Sequence, residues 1–247
     1  MNITEYTKMA EEEAHHWWHL GKMYFVEDLI KRKIKEGKEL SILELGCGTG
    51  HFTKKLQEYG DVTGVDLSEE ALSVCRSRGI SNVKKTDITT MTPSTFRGKK
   101  FDFILALDVL EHVRDDLGVM TRAAKLLNKD GYFIITVPAY KFLWSDHDEA
   151  LHHCRRYRSV ELTTKLEDAG LEIVHKTHYV AFLFPAIFAY RMFRNVFSRD
   201  VYPKTSYVML SPTINNILFK LLQLETYLSH KFYLPMGTTF AVVAKLK

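Results

Sequence analysis

The stretch Ile42-Leu43-Glu44-Leu45-Gly46-Cys47-Gly48-Thr49-Gly50 sets how the whole chain is read. A short apolar run ends in three glycines at alternate positions, and a helical stretch follows. That pattern predicts a strand, a tight turn and a helix N-terminus. A glycine can adopt a positive backbone angle, or leave room where a side chain would strike a bound ligand. The helix that follows offers free N–H groups to a carboxylate or a phosphate. A glycine turn alone does not say which ligand sits on it.

Outward from this turn the chain alternates. Strands are expected at about 41–45, 61–65, 81–85, 101–107 and 132–137, with helices at about 49–59, 69–78 and 115–128 between them. Ser68 is placed to cap the second helix, with Glu69 and Glu70 in its first turn. A turn is expected at 128–131, and Pro138 stops the fifth strand. A helix at about 159–169 and strands at 171–178 and 238–244 complete the pattern. Continuous apolar strands separated by helices define an α/β chain with a doubly wound, buried, parallel sheet. Residues 1–36 read as a helical cover before the first strand, and 139–157 and 179–235 as insertions into a single 1–247 domain.

Composition narrows the field. The chain has 247 residues, a formal charge of +4, 46% hydrophobic and 26% charged residues. A mild basic balance does not indicate nucleic acid. Cys47, Cys75 and Cys154 are far apart and odd in number, which favours a reducing compartment and no disulfide framework. The first residues are polar, with no signal-peptide pattern, and no uncharged apolar run is long enough to span a bilayer. A cytoplasmic protein is expected.

Four acids stand at or beside strand ends: Glu44, Asp66, Asp87 and Asp108. Ligands of open parallel sheets bind beyond these ends. Asp66 follows the glycines by about twenty residues, where a carboxylate can accept two hydrogen bonds from a ribose diol; a simple turn acid is the other reading. A dinucleotide fingerprint would need glycine where His51 stands. Glu44 suits an ammonium group near the turn better than a pyrophosphate.

Glu44-Leu-Gly-Cys-Gly-Thr-Gly50, Gly64-Val-Asp-Leu-Ser68, Asp87-Ile88 and Leu107-Asp-Val-Leu-Glu-His-Val113 together resemble the class I S-adenosylmethionine-dependent methyltransferases. The resemblance implies a Rossmann-like, seven-stranded sheet of order 3-2-1-4-5-7-6 with strand 7 antiparallel. It implies S-adenosylmethionine as cofactor and S-adenosylhomocysteine as product. Glu44, Gly46, Gly48 and Gly50 would hold the methionine part, and Asp66 the ribose. Leu67 would pack on the adenine, Asp87 and Ile88 would border it, and Leu107 and Asp108 would flank the sulfonium. The segment His16-Trp17-Trp18-His19-Leu20-Gly21-Lys22 is similar to an opening in which an arginine approaches the cofactor carboxylate. Trp18 and Lys22 are thereby implied at the site, Lys22 without the bidentate fork of arginine.

The acceptor side is read from 139–157. His147, Asp148, His153, Arg155, Arg156 and Tyr157 match a subgroup pattern in which His152 stands where glycine is common. A His147–Asp148 pair, with His112 and His153 nearby, could place or polarise a substrate hydroxyl. Tyr140 and Trp144 could wall an apolar pocket. Arg155 and Arg156 could hold an anionic group, or could lace a structural loop by ion pairs. No recognisable metal motif is completed, and no metal is expected. The apolar run 182–197, bordered by Arg191, Arg194 and Arg199, has the composition of a helix at a membrane surface, a tunnel for a greasy substrate, a core helix or a dimer face. The expected activity is methyl transfer to a small, apolar or lipid-like acceptor, on oxygen or carbon ahead of nitrogen. The alternatives are a polar, anionic metabolite and a non-catalytic interaction protein. A peripheral membrane contact through 179–199, at the inner membrane surface, and a homodimer belong to the same expectation.

Overall fold

The structure is a computed structural model that describes residues 13–34, 39–197 and 210–247. Expectations for 1–12, 35–38 and 198–209, Arg199 among them, lie outside the described residues, as do the side chains of Phe193, Arg194 and Phe197.

Seven strands form one sheet of order β3-β2-β1-β4-β5-β7-β6. They are β1 Leu40–Leu45, β2 Gly60–Asp66, β3 Val83–Lys85, β4 Phe101–Leu107, β5 Leu127–Pro138, β6 Leu171–Tyr179 and β7 Thr239–Leu246. The first five pair in parallel, whereas β7 runs antiparallel between β5 and β6. This is the order and the antiparallel strand that the resemblance implies. It brings the C-terminal ends of β1 and β4 side by side, with Glu44 opposite Leu105.

Alternation along the strands feeds two cores. Leu43, Leu45, Ile104 and Ala106 pack with α4 (Asp116–Ala124) and α6 (Ser159–Asp168). Ile42, Phe103 and Leu105 pack on the other face with α1 (Trp17–Lys31), α2 (His51–Leu56) and α8 (Pro212–Ser229). Strand neighbours of alternate direction thus bury both faces, as a covered parallel sheet requires. A third cluster sets α3 (Glu69–Ser77) against the glycine turn through Cys47, Leu72 and Cys75. The three cysteines are free thiols. The Ser68 hydroxyl caps α3 by accepting Ala71 N–H at 3.2 Å.

Two boundaries differ from expectation. Helix α4 stops at Ala124, and 128–131 is not a hairpin-like turn but part of β5. Leu127 pairs with Phe101, and the register then shifts before Tyr132 meets Phe103. Pairing across the sheet overrides the turn chemistry of Asn128 and Gly131 by placing them in a bulge. Within 139–157 there is also a short helix, α5, Asp146–Ala150. The apolar run forms α7, Phe184–Phe197. No helix among the described residues is long and apolar enough to cross a membrane.

Candidate active site

A cavity of about 380 Å³ opens at the C-terminal ends of β1 and β4. Gly46, Cys47 and Gly48 form its floor, with Glu44 behind them and Leu107 and Asp108 beside them. Gly46, Gly48 and Gly50 all have positive φ, between 53° and 80°. At Gly46 a Cβ would meet Val109 Cγ2 at 2.5 Å, whereas at Gly48 it would meet nothing within 4 Å. The first glycine therefore serves a close approach within the chain, and the second leaves open space facing a ligand.

Glu44 is buried and accepts a hydrogen bond from the Thr53 hydroxyl. Burial pushes its carboxyl up to about 8, against the pull of that hydrogen bond. Asp108 closes β4 at φ 55°, in a left-handed conformation. Its Oδ1 accepts the Thr136 hydroxyl at 3.0 Å, and its Oδ2 accepts Lys22 Nζ at 2.5 Å. Lys22 Nζ also sits 4.0 Å from the Trp18 ring centre. The cover helix α1 thus delivers Trp18 and Lys22 to the cavity wall.

Asp66, Leu67, Asp87 and Ile88 lie at the ends of β2 and β3, not in this cavity. Asp66 accepts Gly48 N–H at 2.8 Å and Ser68 N–H at 2.9 Å, one on each oxygen. Each oxygen keeps a lone pair for another donor. Asp87 Oδ1 accepts both the amide and the hydroxyl of Thr89. Leu67 is exposed, and Ile88 is buried in the core.

The acceptor side differs from the sequence reading. Asp148 does not pair with His147. It accepts His153 Nδ1 at 2.9 Å, Arg156 Nε at 2.7 Å, Arg156 Nη2 at 3.0 Å and the Ser145 amide at 2.9 Å. Burial pulls the Asp148 carboxyl up, but the bond from His153 and the Arg156 guanidinium together hold it well below the usual carboxylate range. Arg156 Nη1 donates to Ala139 O, so each nitrogen of this guanidinium donates to the protein. Arg155 pairs with Asp116 at 3.0 Å and donates to Arg114 O.

Tyr157 is fully buried, its hydroxyl bonded to Leu110 O and Asp116 Oδ2. Tyr140 stacks on His178 and bonds Pro235 O. Trp144 is half-buried where its N–H closes the turn on Lys141. The apolar-wall reading of Tyr140 and Trp144 and the substrate-binding reading of Arg155 and Tyr157 are therefore corrected: none of the four lines the cavity, because each is held by the loop's own bonding or packing. His112, His147, His153 and Arg156 do line it. Burial holds His147 down at about 4, so its ring is neutral at pH 7.

Several lining residues escaped the sequence reading: Glu13, His19, Thr49 and His51. Glu13 is buried and accepts the Thr49 hydroxyl at 2.9 Å. The polar character of the glycine turn's Thr49 was the only available signal. Glu111, within the Leu107–Val113 motif, is buried and lines the cavity together with His112 and His153.

A seven-stranded sheet with a glycine turn and an acid at each of four strand ends is the arrangement of a nucleoside-cofactor-binding protein. The chain matches a family described as a methyltransferase domain over residues 16–176, and it belongs to that family. It is 30% identical over 165 residues to a protein of Pelagibacter ubique named ubiquinone biosynthesis O-methyltransferase, a match spanning 57% of this chain and 67% of that one. A protein of the same name from Nitrosococcus oceani is 29% identical over 195 residues, 68% of this chain and 83% of the relative. The crystal structure of an S-adenosylmethionine-dependent methyltransferase from Clostridium acetobutylicum shares the fold with a TM-score of 0.56, at 15% identity over 90% of this chain and 89% of that one.

The chain is an S-adenosylmethionine-dependent methyltransferase, and the cavity together with the neighbouring end of β2 fits that cofactor. Acids at Glu44 and Asp108 suit a cationic ligand. The Gly48 Cα faces open space, and Asp66 has acceptor capacity left for a diol.

Proposed function

We propose that the protein methylates a hydroxyl oxygen of a small, apolar, lipid-like acceptor. The observation that carries this reading is one cavity lined both by Glu44 and Asp108 and by His112, His147 and His153. S-adenosylmethionine supplies a sulfonium methyl, already a strong electrophile. The protein's task is then alignment and removal of one proton. Glu44 and Asp108 would face the ammonium and sulfonium charges, Lys22 the carboxylate, Asp66 the ribose, and Leu67, Asp87 and Ile88 the adenine. The acceptor oxygen forms its bond to the methyl carbon as the carbon–sulfur bond breaks. The electron pair stays on sulfur, giving neutral S-adenosylhomocysteine. The hydroxyl proton leaves towards the imidazoles, where neutral His147 has a lone pair to take it.

The names of the relatives favour oxygen and an apolar acceptor. So do the apolar residues left exposed around the C-terminal insertion: Phe182, Phe188, Tyr190, Ile217 and Tyr227. On this reading that face rests on the cytoplasmic side of a membrane, where such an acceptor partitions. The anionic-metabolite reading loses support, because Asp116 and Asp148 already occupy Arg155 and Arg156.

The test uses methyl-labelled S-adenosylmethionine with a phenol or catechol bearing an apolar tail. Label recovered in the organic extract as an alkali-stable ether supports the proposal. Label that enters only water-soluble acceptors, or only nitrogen, overturns it.

A further inference from the structure

We propose that Arg191 selects the acceptor by holding a carboxylate on it, so that the substrate class is an apolar acid that also bears the hydroxyl to be methylated. This rests on the reading of the cavity as the acceptor site, and narrows it.

Arg191 belongs to α7 in the C-terminal insertion, yet it lines the cavity together with His147, His153 and Arg156. Its side chain is 20% exposed. A guanidinium so far out of water calls for an anion in contact with it. Its Nη1 donates to Leu143 O at 2.5 Å and stands 4.0 Å from Asp148 Oδ2, too far for a hydrogen bond. Nε and Nη2 make no hydrogen bond among the described residues.

Asp148 has no capacity left for this second arginine. Its Oδ1 accepts His153 Nδ1 and Arg156 Nε. Its Oδ2 accepts Arg156 Nη2 and both the amide and the hydroxyl of Ser145. Two guanidiniums thus share one carboxylate that is committed to the first. Burial, and then the charge of Arg156, push Arg191 down to about 10 against the pull of Asp148, so it stays charged at pH 7. Arg155 and Arg156 each have a protein carboxylate in contact, at 3.0 Å and 2.7 Å. The edge that Arg191 keeps, Nε with Nη2, is the edge by which Arg156 grips Asp148 through two parallel bonds. A ligand carboxylate matches it in the same way.

The rest of α7 indicates what the acid is attached to. Phe184, Phe188 and Arg191 recur at helical spacing and share one face of the helix. The Phe184 and Phe188 ring centres lie 6.1 Å apart, and Phe142 meets Phe188 edge-on at 5.7 Å. Phe142 and Phe188 are 48% and 38% exposed. Apolar rings at the surface therefore adjoin a guanidinium in the cavity. That order suits an amphiphile whose acidic head goes inward, and a small hydrophilic acid would leave the rings unused.

The experiment is calorimetric titration of wild type, saturated with S-adenosylhomocysteine, with para-hexylbenzoate and separately with the neutral para-hexylbenzamide. Neither probe carries a hydroxyl, so the result does not depend on which atom is methylated, and its failure is read apart from failure of the labelling test above. S-adenosylhomocysteine binding is measured on every variant to show that the methyl-donor site is intact. Wild type is expected to bind the carboxylate at least about tenfold more tightly than the amide, and Arg191→Gln to bind the two within about twofold of each other. Arg191→Lys keeps the charge without the fork and should cut the preference at least about threefold; it decides the matter if Arg191→Gln does not fold. Wild type that binds S-adenosylhomocysteine but shows no preference for the carboxylate, or binds neither probe, overturns the proposal. So does a folded variant that prefers the carboxylate as strongly as wild type.

Discussion

Arg156 grips Asp148 through two parallel hydrogen bonds, Nε to Oδ1 at 2.7 Å and Nη2 to Oδ2 at 3.0 Å, with both side chains buried. The pair joins the end of β5, through Ala139 O, to the middle of the loop that carries His147 and His153. Removing one partner leaves the other charge buried alone, which costs about 3–5 kcal/mol. Arg156→Ala should lose that much stability in urea unfolding at pH 7. The folded Asp148 carboxyl sits below its unfolded value, so its stabilisation is present above the ordinary carboxylate range and is lost as pH falls towards the folded value. The gap between wild type and Arg156→Ala should therefore narrow below about pH 5. A gap that stays constant down to pH 3 would exclude Asp148 as the partner that matters.

The glycine turn separates stability from ligand binding. Gly46→Ala adds a Cβ against Val109 at φ 69°, so both the contact and the backbone resist it. Gly48→Ala at φ 53° meets only open space, and its cost in the free protein is about 1–2 kcal/mol from the left-handed backbone alone. Calorimetry should find S-adenosylhomocysteine binding weakened at least tenfold in Gly48→Ala, in a protein that still melts cooperatively. Gly46→Ala should lose more stability than Gly48→Ala. Equal stability losses in the two, or normal binding by Gly48→Ala, would refute this division.

Most of the sheet and the glycine end of the site were legible, because local signals there coincide. The apolar run, the positive-φ glycines and the acids at strand ends all report the same strand–turn–helix geometry. Even His152, standing where the subgroup has glycine, marks a real feature: it takes φ 56°. The acceptor side was legible only as a set of residue types. Asp148 neighbours His147 in sequence but faces His153 and Arg156, because the short helix α5 turns its side chain inward under the Ser145 amide. Tyr157 reads as a pattern residue beside two arginines on the substrate side, yet its hydroxyl is a strut between Leu110 and Asp116, an acid about forty residues away that no local pattern links to it. Asn128–Gly131 reads as a turn because turn chemistry is local, whereas the pairing that keeps it in β5 is not.

The docking of the cover helix hinges on Gly21. A Cβ there would lie 2.3 Å from Leu222 Cδ1 and 2.8 Å from the Tyr179 hydroxyl, so α1 and α8 touch at a glycine. Two effects compete on Gly21→Ala. Helix propensity favours alanine by about 1 kcal/mol, and overpacking costs about 1–3 kcal/mol. Tyr179 and Leu222 are both buried, so the clash has little room to relax and overpacking should win. The variant should be less stable and should bind S-adenosylhomocysteine more weakly, since α1 carries Trp18 and Lys22. Adding Leu222→Ala should recover part of the binding. A stabilised single variant would mean that the contact yields freely.

Glu44 makes a prediction about protons. Burial raises its carboxyl to about 8 in the free protein, so at pH 7 it is mostly protonated. A group raised in the folded state binds more protons there than in the unfolded chain between about pH 4.5 and 8, so it lowers stability as pH rises through that window. An ammonium group arriving beside it favours the ionised form and reverses the shift. Binding of S-adenosylmethionine at pH 7 should therefore release close to one proton from Glu44, on the order of nine in ten molecules. Calorimetry in buffers of different ionisation enthalpy reads this directly, and Glu44→Gln should abolish the buffer dependence while weakening binding. If wild type and Glu44→Gln show the same proton balance, Glu44 either is ionised before the cofactor arrives or does not face its charge, and the cationic end of the cofactor must be assigned to Asp108 alone.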